Sequence, residues 1–403
     1  MSERPDHSTE VTVDIGERTI VNGERLIYLD HAATTPMRPA AVEAMLPFLT
    51  ERFANPSGSH RFARDARRAV DEARDRVADV IGCRPGEVVF TGGGTEGDNA
   101  AVAGAVRRSS GRPLCPAAEH HAVLHVVERN DGTVVGVDAT GHVDLDALGD
   151  ALDPGVAVVS VMAVNNEVGT ITDLAAVSAV VRERAPAAVL HTDAVQAAAW
   201  LDLRALWPHV DALSLSAHKF GGPKGVGVLA LRTGAAVDPL LVGGGQERDR
   251  RSGTHNVGGI VALAEALVAT DSERPAESAR LAVLRDRLVD GLLAAVAEAC
   301  ETVARSRKVA GSAHVMFAGI ENEALLYLLD EAGLCASAAS SCASGAMDPS
   351  HVLAAMGVER SWANGALRMS LGRTTTDADV DDALGILVDA VTRLRRRPVP
   401  VGR

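Results

Sequence analysis

No apolar run in the 403 residues approaches the roughly 18 that a membrane-spanning helix requires. The opening stretch, MSERPDHSTEVTVDIGERTI, has acids where a secretory signal has a basic start and an apolar middle. A cytoplasmic protein without a membrane segment is therefore expected. Positive charge is also scarce: the formal net charge is −13, and RLRRRP near the C-terminus is a short basic cluster. Neutralising phosphates takes a basic face, so no direct nucleic-acid binding is expected, and the cluster reads as a solvated helix end. Cysteine is sparse. Cys83, Cys115, Cys300, Cys335 and Cys342 form an odd, scattered set without a C-x-x-C pair, which fits neither a disulfide framework nor a zinc knuckle. Each is by default a small buried hydrophobe. Cys342 strains that default, because its surroundings, ASAASSCASGA at 336–346, hold no large side chain to pack it. That stretch is the chain's low-complexity segment, and there is no internal repeat.

What remains is ordinary for a globular protein: 47% hydrophobic and 23% charged residues, with length for two or three folding units. From about residue 38 to 270, apolar β-branched runs (EVVFT, VAVVSVMAV, AAVLHTD, DALSLS, VGVLAL) alternate with helical spacing in RDARRAVDEARDRVADVI and DLAAVSAVVRERA. The alternation predicts an α/β fold, a mostly parallel sheet covered by helices. After DSERPAES at 271–278, a helical run to Cys300 opens a further strand and helix series, read as a second, smaller α/β domain.

In such sheets ligands bind at the carboxyl ends of the strands. FTGGGTEGDN follows a strand and leads into a helix, an arrangement suited to phosphate. Gly92, Gly94 and Gly97, with Glu119 downstream, also match G-x-G-x-x-G and its acid, the pattern of a dinucleotide site. A glycine-rich turn without a ligand accounts for this segment equally well. HTDAVQ ends a strand at Asp193, and SLSAHKFGGPKG places Ser216, His218 and Lys219 after another. A buried strand-end lysine is costly unless paired or used, and desolvation makes it an amine nucleophile. A Schiff-base lysine with a carboxylate to face a pyridinium nitrogen is what pyridoxal phosphate requires. Nicotinamide chemistry leaves Lys219 and Asp193 without a task.

From IYLDHAATTP at 27 to LRMSLGRTTTDADVD at 367, the chain resembles the cysteine desulfurases, the NifS-like group of the class V aminotransferase family, which are fold type I pyridoxal-phosphate enzymes. The resemblance is carried by FANPSGSHRFARDARRAV, VVFTGGGTEGDN, EHHAVL, VNNEVGTITDL, HTDAVQ, SLSAHKFGGPKGVG, GGGQERDRRSGTHNV and SSCASGAMDPSHVL, in one order. It implies a homodimer, each chain with a large cofactor domain at 38–270 and a small domain formed by 1–37 and 271–403 that carries the catalytic cysteine loop. It further implies that Lys219 is the Schiff-base lysine, that Asp193 pairs with the pyridinium nitrogen, and that Gln196 donates to the phenolic oxygen. His120 would stack on the ring and move protons. Gly94, Thr95, Ser216 and His218 would hold the phosphate, with Thr254 reaching it from the partner subunit. Asn166 and Arg368 would bind the substrate carboxylate.

The implied reaction converts L-cysteine to L-alanine. Lys219 would take the α-proton, and the Cys342 thiolate would accept the sulfur as a persulfide for delivery to an acceptor protein. A C–S lyase or a selenocysteine lyase of the same fold would use Lys219 and Asp193 without a protein persulfide. Taken singly, several of these residues have plainer roles. His121 and His125 form an i, i+4 pair beside His120, but no third ligand of H-E-x-x-H type follows, so no metal is expected. Arg368 alone reads as a salt-bridge partner and Asn166 as a turn cap. Cys335, in EAGLCAS, reads as a packed cysteine rather than a resolving thiol. Ala339 stands where the family usually has a glycine. No long C-terminal extension for docking an iron–sulfur scaffold follows, and the resemblance leaves the acceptor and its pathway open.

Overall fold

The computed structural model describes residues 19–21, 24–338 and 350–396. Strands Val88–Thr91, Val156–Ser160, Val189–Asp193, Ala212–Ser216 and Gly227–Leu231 are buried at every position. Their continuous apolar character therefore follows from being covered on both faces. With Arg112–Pro116 and Thr133–Val135 they form a seven-stranded sheet. In spatial order it runs Val88–Thr91, Gly227–Leu231, Ala212–Ser216, Val189–Asp193, Val156–Ser160, Arg112–Pro116, Thr133–Val135. Gly227–Leu231 is antiparallel to both of its neighbours, and the other pairings are parallel. Alternate residues feed two cores: Val88, Phe90, Leu190 and Leu213 face one side, while Val89, Val158, Val189 and Ala212 face the other.

A third core joins the two ends of the chain. Ile27 and Leu29 pack with Leu288, Phe317, Leu367 and Leu387. Glu24–Tyr28 pairs in parallel with Leu334–Cys335, and Asp30 bridges Ser370 at the end of strand Ala366–Ser370. That strand lies antiparallel to Ser312–Phe317, which in turn pairs with Ala299–Glu301.

The helix expected to begin after 271–278 is part of a longer one. Val257–Ala295 runs unbroken through DSERPAES with Pro275 inside it. A mid-helix proline costs about 3 kcal/mol or more. Here the helix is held on both sides of it: the first half packs on Pro39–Leu49 and Arg61–Ile81, and the second on Asp377–Arg396. The far end also differs from expectation. The helix stops at Ala295, and Ala299–Glu301 is drawn into a strand by pairing with Val315–Phe317, so tertiary pairing overrides the helix propensity of an alanine-rich stretch.

One buried ion pair fixes the loop before this helix. Glu247 takes two hydrogen bonds from Arg74, at 2.6 and 2.7 Å, one from the Phe90 N–H at 2.9 Å, and contacts His255 Nε2 at 2.7 Å. Burial opposes its ionisation, but the bonds from His255 and Arg74 outweigh that and hold its pKa down at about 2, against an ordinary 4.5. A value lowered by folding means stabilisation that is complete above about pH 4.5 and lost as the pH falls toward 2. Glu247→Ala, which strands a buried guanidinium, is expected to cost about 3–5 kcal/mol in urea unfolding at neutral pH. It should also flatten the decline of stability in that acid window.

Candidate active site

The ends of the sheet strands deliver the chemistry to one place. Strand Val189–Asp193 ends on a buried carboxylate, and Asp193 Oδ1 accepts the Val195 N–H at 2.8 Å, which turns the chain toward Gln196. Strand Ala212–Ser216 ends on Ser216, and the tight turn Ala217–Lys219 brings up His218 and Lys219 before the chain reverses into Gly227–Leu231. Gly94 and Thr95 open helix Gly94–Ser109, and His120 caps helix His121–Arg129. These residues, with Asn166 and Arg368, line a cavity of ≈ 420 Å³. Thr254 does not line it; the residue is exposed, in the irregular stretch preceding the long helix. Cys342 and Ala339 lie outside the described residues. The chain approaches that segment at Ser337, which lines the cavity and pairs its backbone with that of Arg368. It returns at Ser350, whose hydroxyl donates to Glu167, and at His351, whose Nε2 lies 2.9 Å from the Glu119 carbonyl.

Lys219 Nζ donates to the Ala32 carbonyl at 2.6 Å and the Ala33 carbonyl at 2.8 Å. Burial, and then the Arg368 charge, push its pKa down to about 8, while Asp193 and Asp30 pull it the other way. The amine is thus part neutral near neutral pH, as a nucleophile or base must be. Burial raises Asp193, opposed by His120, the Val195 N–H and Lys219. Burial lowers His120. Its Nδ1 accepts the Ala122 N–H at 3.1 Å, so the neutral ring carries its proton on Nε2. In that tautomer the Nε2–H is the polar edge not engaged by the Ala122 N–H.

Gln196 Nε2 donates to the Ala32 carbonyl at 2.8 Å. Turn capping falls to Asn165, whose Oδ1 accepts the N–H groups of Glu167 and Val168, and this leaves Asn166 to the cavity. Arg368 is no surface partner: it is buried and paired with Asp30. Glu119, the acid that a dinucleotide site would turn toward ribose, is fully buried with Oε1 bound to the Met162 N–H at 2.6 Å. Cys335 is half-buried in its short strand, and burial pushes its thiol pKa up. Asp30, Ala32, Ala33 and Asp98 are contributors that motif reading passed over. IYLDHAATTP was visible as a block, but nothing in it shows that its carbonyls face Lys219.

The residues fit pyridoxal phosphate. Gly94 is a cradle without spare room, because a Cβ there would stand 2.5 Å from Val195 Cγ2. Beside it lie the helix N-terminus, the Ser216 hydroxyl and His218, a donor set for a phosphate. Asp98 Oδ1 and Arg368 Nε are buried at the cavity without hydrogen-bond partners. A desolvated amine and a buried carboxylate share the same space, as the cofactor's aldehyde and ring nitrogen require.

Comparisons with known proteins agree with this chemistry. Residues 27–383 match the Aminotransferase class-V family. An IscS-like cysteine desulfurase of Mycobacterium tuberculosis is 47% identical over 386 residues, covering 92% of this chain and 98% of that protein. Among solved structures, a NifS-like protein superposes with a TM-score of 0.85 at 34% identity, covering 92% of this chain and all of its own. A structure described as SspA in complex with cysteine gives a TM-score of 0.74 at 30% identity, covering 85% of this chain and 98% of that one.

Proposed function

The chain belongs to the class-V aminotransferase family and, within it, to the cysteine desulfurases, and on that footing we propose that it draws L-cysteine into the cavity at Lys219, releases L-alanine and passes the sulfur through Cys342 to an acceptor protein. It is a pyridoxal-phosphate enzyme. The bound cofactor supplies an electron sink for the pair left when the substrate α-proton departs. The observation that carries the assignment of roles is that Lys219, with a pKa lowered to about 8, shares one cavity with the buried Asp193 and with Arg368.

Lys219 anchors the cofactor and takes the α-proton. Asp193 would keep the ring nitrogen protonated, and Gln196 would donate to the phenolic oxygen. Gly94, Thr95, Ser216 and His218 hold the phosphate. Arg368 and Asn166 orient the substrate carboxylate, and His120 hands on a proton from Nε2. The Cys342 thiolate attacks the substrate sulfur: a protein S–S bond forms, the C–S bond breaks, and the carbon side keeps the electron pair and is protonated. A homodimer with Thr254 completing the partner's phosphate site is supported by that residue's exposure and by the bare apolar side chains Leu46, Leu49 and Phe53. A core made of Ile27, Leu29 and residues from Leu281 to Val391, with none from 38–270, supports a large domain at 38–270 and a small one from 1–37 and 271–403. Among the described residues no helix is long and apolar enough to cross a membrane.

Incubating the holoenzyme with L-cysteine should yield L-alanine and protein-bound sulfur in equal amounts. Pyruvate and free sulfide without protein-bound sulfur would instead mark a C–S lyase.

A further inference from the structure

We propose that Asp30 is a positioning residue for the substrate carboxylate, because it pins the guanidinium of Arg368, a residue that lines the cavity and whose buried Nε–H has no partner. This rests on the reading of Arg368 as the carboxylate's partner. The Arg368 side chain is 8% exposed and anchored twice. Nη2 donates to Asp30 Oδ1 at 2.7 Å, and Nη1 donates to the Asn166 carbonyl at 3.0 Å. Nε is buried as well and has no partner, although the residue lines the cavity. A guanidinium holds five N–H donors in one rigid plane. With one proton on each terminal nitrogen committed, Nε–H and the second proton of each Nη remain in the same plane, enough for a carboxylate to take two hydrogen bonds.

Asp30 is itself held firmly. Its carbonyl accepts the Tyr28 hydroxyl at 3.0 Å and the Ala33 N–H at 3.0 Å, and its backbone bridges Ser370. The two residues lie 338 positions apart in sequence, so the N-terminal segment supplies the brace for an arginine on a C-terminal strand. Ala32 and Ala33, the next residues but one along the same segment, hold Lys219. One short stretch thus sets the positions of both the amine and the carboxylate's receiver. Without the Asp30 charge the guanidinium would remain buried but could turn about its last torsions. Binding of a carboxylate would then lose its geometry, while proton movement at the α-carbon would keep its own groups.

The test compares holoenzyme forms of wild type, Asp30→Asn, Asp30→Glu and Arg368→Gln. Asparagine keeps the size and backbone bonds of Asp30, and thermal melting checks that each variant is folded. The readouts are KM and kcat for L-cysteine, and calorimetric affinities for L-alanine and for cysteamine, which lacks the carboxylate. Asp30→Asn is expected to raise KM and weaken L-alanine roughly 10- to 100-fold, with cysteamine binding unchanged. Asp30→Glu should recover most of the loss. Arg368→Gln should show the same carboxylate-selective defect. An unchanged KM in Asp30→Asn, a lowered KM (as expected if Asp30 competes with the carboxylate), or equal losses for L-alanine and cysteamine would each overturn the proposal. If Arg368→Gln loses L-alanine and Asp30→Asn does not, the proposal alone fails. If Arg368→Gln binds L-alanine normally, the reading of Arg368 fails and takes the proposal with it.

Discussion

Lys219→Ala is expected to lower L-alanine production from L-cysteine by roughly a thousandfold or more, since it removes both an activated nucleophile and the base placed for the α-proton. The effect is large because nothing else among the described residues of the cavity can stand in. Burial pushes His120 toward its neutral form, with Nδ1 tied to the Ala122 N–H. Burial drives His218 down to about 4. Asp98 and Asp193 are buried acids raised by desolvation. None is an amine. Lys219→Ala should therefore also lose solvent deuterium exchange at the α-carbon of L-alanine, a reaction that needs the base and no sulfur chemistry. Arginine at 219 should be no better, because it stays protonated at any accessible pH. Exchange at the wild-type rate in Lys219→Ala would remove Lys219 from the base role.

Cys342→Ala should separate the two halves of the reaction. Sulfur transfer to the protein and L-alanine formation from L-cysteine should fall to background, while cofactor absorbance and α-deuterium exchange with L-alanine persist. No other cysteine is placed to perform this chemistry. A thiolate is the nucleophile, and burial away from cations disfavours it. Cys115 is fully buried, and burial raises the thiol pKa of Cys83, Cys300 and Cys335. Cys335 is further committed to a strand paired with Tyr28. Cys342, among alanine, serine and glycine, is the candidate with no packing duty evident in its sequence. A Cys342→Ala enzyme that makes L-alanine at the wild-type rate would sink the assignment.

Much of this site was legible in the sequence because each feature is local. Lys219, Asp193 and Ser216 announce themselves as polar residues closing runs of apolar strand, and such runs are unambiguous when a sheet is covered on both faces. The glycine of a crowded turn, Gly94, is visible for the same reason. What stayed hidden was set by contacts distant in sequence. Asp30 reads as one acid in an N-terminal segment until its backbone is laid beside Ser370. Asn165 and Asn166 are chemically identical neighbours, and only the turn hydrogen bonds assign one to capping and the other to the cavity. The continuity of Val257–Ala295 through Pro275 contradicts local propensity because packing on both sides decides it. Ala299–Glu301 becomes a strand because Val315–Phe317 is its partner.

The central claim is that sulfur leaves the substrate by way of Cys342. The measurement that addresses it most directly is the mass and fragmentation of the peptide spanning Cys335 and Cys342, taken after brief exposure of the holoenzyme to L-cysteine without reductant. One sulfur atom should be gained on Cys342, appearing with L-alanine and absent from Lys219→Ala. L-alanine formed with Cys342 unmodified, or the added sulfur found on Cys335, would contradict it.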